Sequence, residues 1–179
     1  MYQQWEFNLL YWFQKLHGPL QDKLAIIITH LGSGGVFWIA VTLLLLVVQK
    51  DRRVGISMAL ALVTEVIICN VILKNAVQRD RPCWIDTSVE LLVKSPSDYS
   101  FPSGHSSASF AAAVALLMYD PKWGIAAVIL AVFIGLSRLY LFVHFPTDVL
   151  AGALIGTVMG IICSLVVKRY GQRFSGNGE

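Results

Sequence analysis

From Leu31 to Val48 the chain carries no charged side chain. A helix of that length approaches the roughly 20 apolar residues needed to cross the ~30 Å hydrocarbon core of a bilayer. Further apolar runs repeat the pattern: Val54–Val77, interrupted by Glu65; Ser103–Tyr119, dense in Ala and Ser; Trp123–Val143, with Arg138 near its end; and Thr147–Val167, with Asp148 at its start. Only 14% of residues are charged and 56% are hydrophobic, whereas soluble domains average about 25% charged. The expectation is an all-α, polytopic transmembrane helical bundle of about five to six spans, one domain over residues 1–179. Disorder is excluded by the scarcity of polar residues. A disulfide-stapled module is excluded by three cysteines, of which Cys69 and Cys163 lie inside apolar runs as buried thiols do. A net charge of +3, scattered along the chain, leaves no nucleic-acid footprint.

Residues 1–30 are different. They lack the basic start of a secretory signal, and Phe7–Leu16 mixes aromatic, aliphatic and polar residues as an amphipathic interfacial helix does. Leu24–Leu31 is too short to span alone; it either leads into the first span or dips partway. Gln78–Ser100 is polar and forms most of an outer loop over residues 78–102. Lys50, Arg52, Arg53, Lys122, Lys168, Arg169 and Arg173 all fall on one side of such a bundle, which the positive-inside rule makes cytoplasmic. The opposite side holds the 78–102 loop, the turn His144–Thr147 and the N-terminus.

Lys74, Arg81, His105, Arg138, His144 and Asp148 come from separate stretches of chain yet all fall at that opposite side. One such residue is explained by a side chain snorkelling to the interface; six together, with two histidines, indicate a site. Pro102-Ser103-Gly104-His105 reads as a helix start with Ser103 at or near the cap. The free backbone N–H groups there suit an anion, and Gly104 permits close approach. Pro146 breaks the helix after His144, so Asp148 in the next first turn can hydrogen-bond one imidazole nitrogen. Fixed cations, a helix N-terminus and two imidazoles suit phosphoryl transfer, whose transition state spreads negative charge over equatorial oxygens. One histidine can attack phosphorus and the other can serve the leaving oxygen. A metal centre fits less well, because three cations would repel a dication.

The order Lys74-x6-Arg81-Pro82, Pro102-Ser103-Gly104-His105 and Ser137-Arg138-x5-His144-x3-Asp148 resembles the type 2 phosphatidic acid phosphatase superfamily, which includes membrane lipid phosphatases, soluble acid phosphatases and vanadium haloperoxidases. The motifs cover residues 74–148, and the flanking spans resemble small bacterial integral-membrane members. The resemblance implies that His144 is the nucleophile forming a phosphohistidine, Asp148 its orienting partner and His105 the general acid. It implies that Lys74, Arg81, Arg138, Ser103 and the Gly104 amide hold the phosphoryl oxygens, with no metal and no cofactor. The expected substrate is a lipid phosphate or pyrophosphate in the bilayer: phosphatidic acid, phosphatidylglycerol phosphate or undecaprenyl pyrophosphate. The expected location is the cell membrane, with the site on the extracytoplasmic face. The alternative is an anion transporter or channel using the same cations, which would not need the His144/Asp148 pair.

Other features carry weaker expectations. Glu65 reads first as a structural buried polar group, and Asn70 either orients Lys74 or packs between helices. Gly152, Gly156 and Gly160 form a close-packing face, more readily within the chain than between copies. His17 and His30 read as interfacial or structural. Asp80, Asp86, Glu90, Lys94 and Asp98 read as a solvated loop with a possible part in head-group selectivity.

Overall fold

The computed structural model describes residues 3–49 and 52–175, with side chains through Tyr170. Lys50 and the Arg173 side chain, both assigned above to the cytoplasmic side, lie outside the described residues. The described elements are all helical: α1 (Gln4–Gln14), α2 (Pro19–Gly32), α3 (Val36–Val48), α4 (Arg53–Glu65), α5 (Lys74–Val77), α6 (Pro82–Ile85), α7 (Gly104–Leu117), α8 (Pro121–Tyr140) and α9 (Pro146–Ser175).

Four continuous stretches are long and apolar enough to cross a membrane: Pro19–Val48, Arg53–Ile85, Pro121–Tyr140 and Pro146–Tyr170. The first begins earlier than the sequence reading placed it, because α2 leads into α3. Between them, Gly34 and Gly35 adopt φ of 59° and 67°, a left-handed conformation that only glycine enters without steric cost. The second stretch widens over Val66–Leu73 into a π-helical segment, where the Lys74 amide reaches back to the Cys69 carbonyl. Such widenings are rare and recur at functional sites. The third expected span, Ser103–Tyr119, is the 14-residue α7, shorter than the others.

Small residues put α7 at the centre. Ala111, Ala112, Ala113 and Ala115 are fully buried, and α4, α8 and α9 pack around them. The α9 glycines make the closest seam: a Cβ on Gly156 would lie 2.2 Å from the Ser107 carbonyl oxygen and 2.9 Å from the Ala111 nitrogen. The glycine face thus packs within the chain. The helix starts follow local chemistry. Asp120 caps α8 by accepting from the Lys122 and Trp123 amides ahead of Pro121, and Ser103 caps α7 by accepting from the Ser106 amide. A second core, around Leu10, Ala25, Leu139, Phe142, Val143 and Phe145, fastens α1 and α2 over the site end of the bundle.

Candidate active site

The site is organised by the reversal between α8 and α9. Phe142 amide donates to Leu139 and Val143 amide to Arg138, the paired bonds of a Schellman helix stop, which requires a left-handed residue after the C-cap. Phe142 takes that position with φ 58°, at a cost of about 1–2 kcal/mol for a side chain with a Cβ. Its ring is fully buried and packs on Phe7 and Tyr11 of α1, centroids 6.3 and 5.7 Å away. This reversal turns His144 inward. At its far side, Asp148 Oδ2 accepts from the Phe145 amide at 2.9 Å, closing the first turn of α9.

His144 and Asp148 are buried behind a cavity of about 690 Å³, lined by Lys74, Arg81, Gly104, His105, Arg138 and His144 together with Thr29, Ser33, Glu65, Asn70 and the 93–98 segment. Arg81 Nη1 donates to His144 Nε2 at 3.0 Å and to the Val143 carbonyl at 2.7 Å. Nε2 therefore carries the lone pair and faces the cations, while Nδ1 faces Asp148. Burial, then the charges of Arg81, Arg138 and Lys74, hold the His144 imidazole well below its ordinary pKa, so it is neutral at pH 7. Nδ1 lies 3.7 Å from Asp148 Oδ2, beyond hydrogen-bond length. Ser100 bridges them, its hydroxyl 3.4 Å from Nδ1 and donating to Asp148 Oδ2 at 2.5 Å.

The cations are held from several elements. Asp98 bonds both Lys74, through a very short contact, and Arg81, from Nη2 to Oδ1 at 2.7 Å. Burial works to raise the Asp98 carboxyl, but the Lys74 hydrogen bond and the Arg81 charge outweigh it and take it down to about 2. Arg138 donates from Nη1 to the Thr29 hydroxyl of α2, and its buried Nε has no partner among the described residues. His105 Nε2 lies 3.3 Å from the Ser33 hydroxyl, at the bend between α2 and α3.

The structure thus brings six of the eight expected site residues to one cavity wall. Asp148 stands behind His144. Ser103 is fully buried and does not line the cavity; its oxygen accepts from the Ser106 amide and hydroxyl at 3.4 and 3.0 Å, and its amide donates to the Asp148 carbonyl at 3.0 Å. Asn70 pairs with Glu65 at 3.5 Å rather than with Lys74, and Glu65 also accepts a short bond from Ser107. Asp98 lies exposed in the loop, as expected, and from there holds two cations. Ser100, Ser33, Thr29, Arg79 and Glu6 belong to the site's surroundings and were not singled out by sequence. His17 stacks on Tyr140, centroids 4.4 Å apart. His30 binds its own helix at the Ile26 carbonyl and also borders the cavity.

A helical membrane bundle whose cavity gathers cations and two imidazoles defines a class: an integral-membrane protein with a cationic, histidine-bearing cavity. Residues 52–172 match the PAP2 superfamily, and the chain belongs to that family. An undecaprenyl-diphosphatase from Sulfolobus acidocaldarius is 40% identical over 121 residues, 67% of this chain and 58% of that protein. The chain thus spans little more than half of that relative. Among solved structures, LpxE of Aquifex aeolicus superposes with a TM-score of 0.78 at 29% identity, covering 90% of this chain and 95% of that one. A transmembrane PAP2-type phosphatidylglycerolphosphate phosphatase of Bacillus subtilis gives 0.71 at 28% identity, covering 93% and 84%.

Proposed function

We propose that the chain is an integral-membrane lipid phosphatase that removes a terminal phosphate from a lipid phosphate or pyrophosphate through a phosphohistidine at residue 144. The observation that carries this reading is the placement of the His144 ring, with Nε2 turned to Arg81 in the cavity and Nδ1 backed by Ser100 and Asp148. A channel for anions needs cations but has no use for such a pair.

In the first step, His105 enters as the imidazolium, protonated as the anionic phosphate binds beside it; His144 Nε2 attacks phosphorus, the bond from phosphorus to the leaving oxygen breaks, and His105 gives that oxygen its proton. In the second, His105 takes a proton from water, the hydroxide attacks phosphorus, and the P–N bond breaks to free His144 and inorganic phosphate. Lys74, Arg81, Arg138 and the Gly104 amide stabilise the charge on the phosphoryl oxygens. Ser103 Oγ accepts two bonds already, which leaves its own proton to donate. The unpartnered Nε of Arg138 is a donor waiting for an acceptor of this kind.

Lipid is supported by the bilayer-spanning helices around the cavity, a pyrophosphate head group by the name of the Sulfolobus relative, and a monophosphate one by the name of the Bacillus structure. We place the site on the extracytoplasmic face of the cell membrane, since Arg52, Arg53, Lys122, Lys168 and Arg169 gather at the other end of the bundle.

The test is phosphate release by purified protein, with chelator present, from phosphatidic acid, phosphatidylglycerol phosphate and undecaprenyl pyrophosphate. Release from at least one is expected, lost in His144→Ala, with phosphorus label trapped on residue 144 in His105→Ala. Wild-type release in His144→Ala, or label on another residue, overturns the reading.

A further inference from the structure

Behind the cavity, α1 reaches the catalytic pair without touching the cavity itself. Glu6 is 1% exposed. Its Oε2 accepts from Arg79 Nη2 at 2.7 Å, and its Oε1 accepts from the Thr147 hydroxyl at 2.6 Å. Arg79 Nη1 in turn donates to the Thr147 hydroxyl at 2.7 Å and to Asp148 Oδ1 at 2.6 Å. The guanidinium stands over the Phe145 ring, 4.2 Å from its centroid. Phe7, one residue on from Glu6, meets the same ring edge-on at 5.2 Å. One fork thus joins the interfacial helix, the turn carrying His144 and the outer oxygen of Asp148.

We infer that Arg79 and Glu6 are positioning residues for the His144–Asp148 pair, so that the N-terminal helix sets the geometry of the nucleophile. This rests on the phosphohistidine reading above. The physical argument concerns rotation of one carboxylate. Asp148 presents Oδ2 to Ser100, the Phe145 amide and the imidazole side, and that presentation is fixed only if Oδ1 is held from behind. Arg79 does this with a planar fork that a lysine could not reproduce. Glu6 aims the fork: without its charge, the guanidinium keeps Asp148 and Thr147 but loses the second anchor that sets its plane. The groups facing the pair from the cavity are Arg81, Arg138, Lys74 and His105. From behind it has Arg79 and Glu6, and none of the residues in this rear network is a phosphate ligand.

The experiment is a double-mutant cycle on the full chain in detergent, with kcat and KM measured on the best substrate of the panel. Glu6→Gln keeps size and hydrogen-bonding capacity while removing charge. It should lower kcat roughly 10-fold, the usual scale for a residue supporting a site from its second layer, with KM within about twofold of wild type. Glu6→Asp, which restores the charge, should recover part of kcat. Thr147→Val removes the shared hydroxyl at nearly constant volume, and with Glu6→Gln it should lose no more than the larger single loss. Thermal melting of each variant separates misfolding from mispositioning; Thr147→Val stands in should Glu6→Gln fail to fold. Wild-type kcat in folded Glu6→Gln, a loss confined to KM, or strictly multiplicative losses in the double variant overturns the inference. His144→Ala separates the two levels. If it is dead while Glu6→Gln is unimpaired, only the positioning role falls; if it is active, the phosphohistidine reading falls and takes this inference with it.

Discussion

Substituting Gly156 by alanine puts a methyl group where the structure has no room. The added carbon would stand 2.2 Å from the Ser107 carbonyl oxygen, 2.9 Å from the Ala111 nitrogen and 3.0 Å from the Ser107 carbonyl carbon. Carbon–oxygen contacts of this kind settle at about 3.3–3.6 Å, so α7 and α9 must part by about 1 Å. All three obstacles are main-chain atoms of a buried helix, which no rotamer change can move. Overpacking of a tight core costs about 1–3 kcal/mol, and a backbone clash belongs at the upper end. Alanine's better helix propensity returns about 1 kcal/mol, which leaves a net loss of about 2 kcal/mol. The functional effect should exceed the thermal one, because Ser107 lies two residues from His105 and one turn from the capped start of α7. A displacement of ~1 Å at reacting groups costs on the order of 100-fold in rate. The assay pairs thermal melting in detergent with kcat/KM on a lipid phosphate. Gly135→Ala is the control, since its nearest obstacles are side-chain atoms, Val149 Cγ1 at 3.2 Å and Ser106 Oγ at 3.5 Å, with no main-chain atom as near. Should Gly156→Ala melt with wild type and turn over at the wild-type rate, the seam does not position α7 and the argument is wrong.

Two further outcomes follow from the loop over the site. Asp98 is held at about 2 against an ordinary 3.8, so its ion pairs stabilise the fold above 3.8 and fade as pH falls through 2. Melting of wild type should therefore drop across that window, and Asp98→Asn should flatten the drop while starting from a lower melting temperature at pH 7. For orientation, Ser88 is exposed and the three native cysteines are buried. In Ser88→Cys, an impermeant thiol reagent should label intact cells, and labelling only after lysis would invert the proposed topology.

Most of the candidate site was legible because its members are misfits where they stand. His105, Arg138 and Asp148 sit at the edges of apolar helices, where an ionisable side chain is expensive, so each announced itself locally. Arg79, Glu6 and Ser100 gave no such signal. They lie in polar surroundings where charge is ordinary, and their meaning comes from partners 44 to 141 residues away. Asp98 was read as a solvated loop carboxylate for the same reason, although it binds Lys74 and Arg81. In the fold, the glycine face of α9 was visible from spacing alone. The π-helical widening after Glu65 was not, because Val66–Leu73 reads as plain apolar helix. Phe142 was equally hidden, since the left-handed residue that ends α8 is an aromatic rather than the glycine that usually marks such a stop.

The shortness of α7 bears on how charge meets the membrane. Fourteen residues rise only about 21 Å, against a hydrocarbon core of about 30 Å. His105 lies in the first turn of this short helix, so were Asp120 at one boundary, His105 would stand several ångströms short of the other. On the proposed function, a head group reacting at His105 would have to leave the headgroup layer and sink toward the depth of the lipid tails. The cations and the Gly104 amide would then substitute for its lost water, and the distance it must sink would vary with the thickness of the bilayer around the protein.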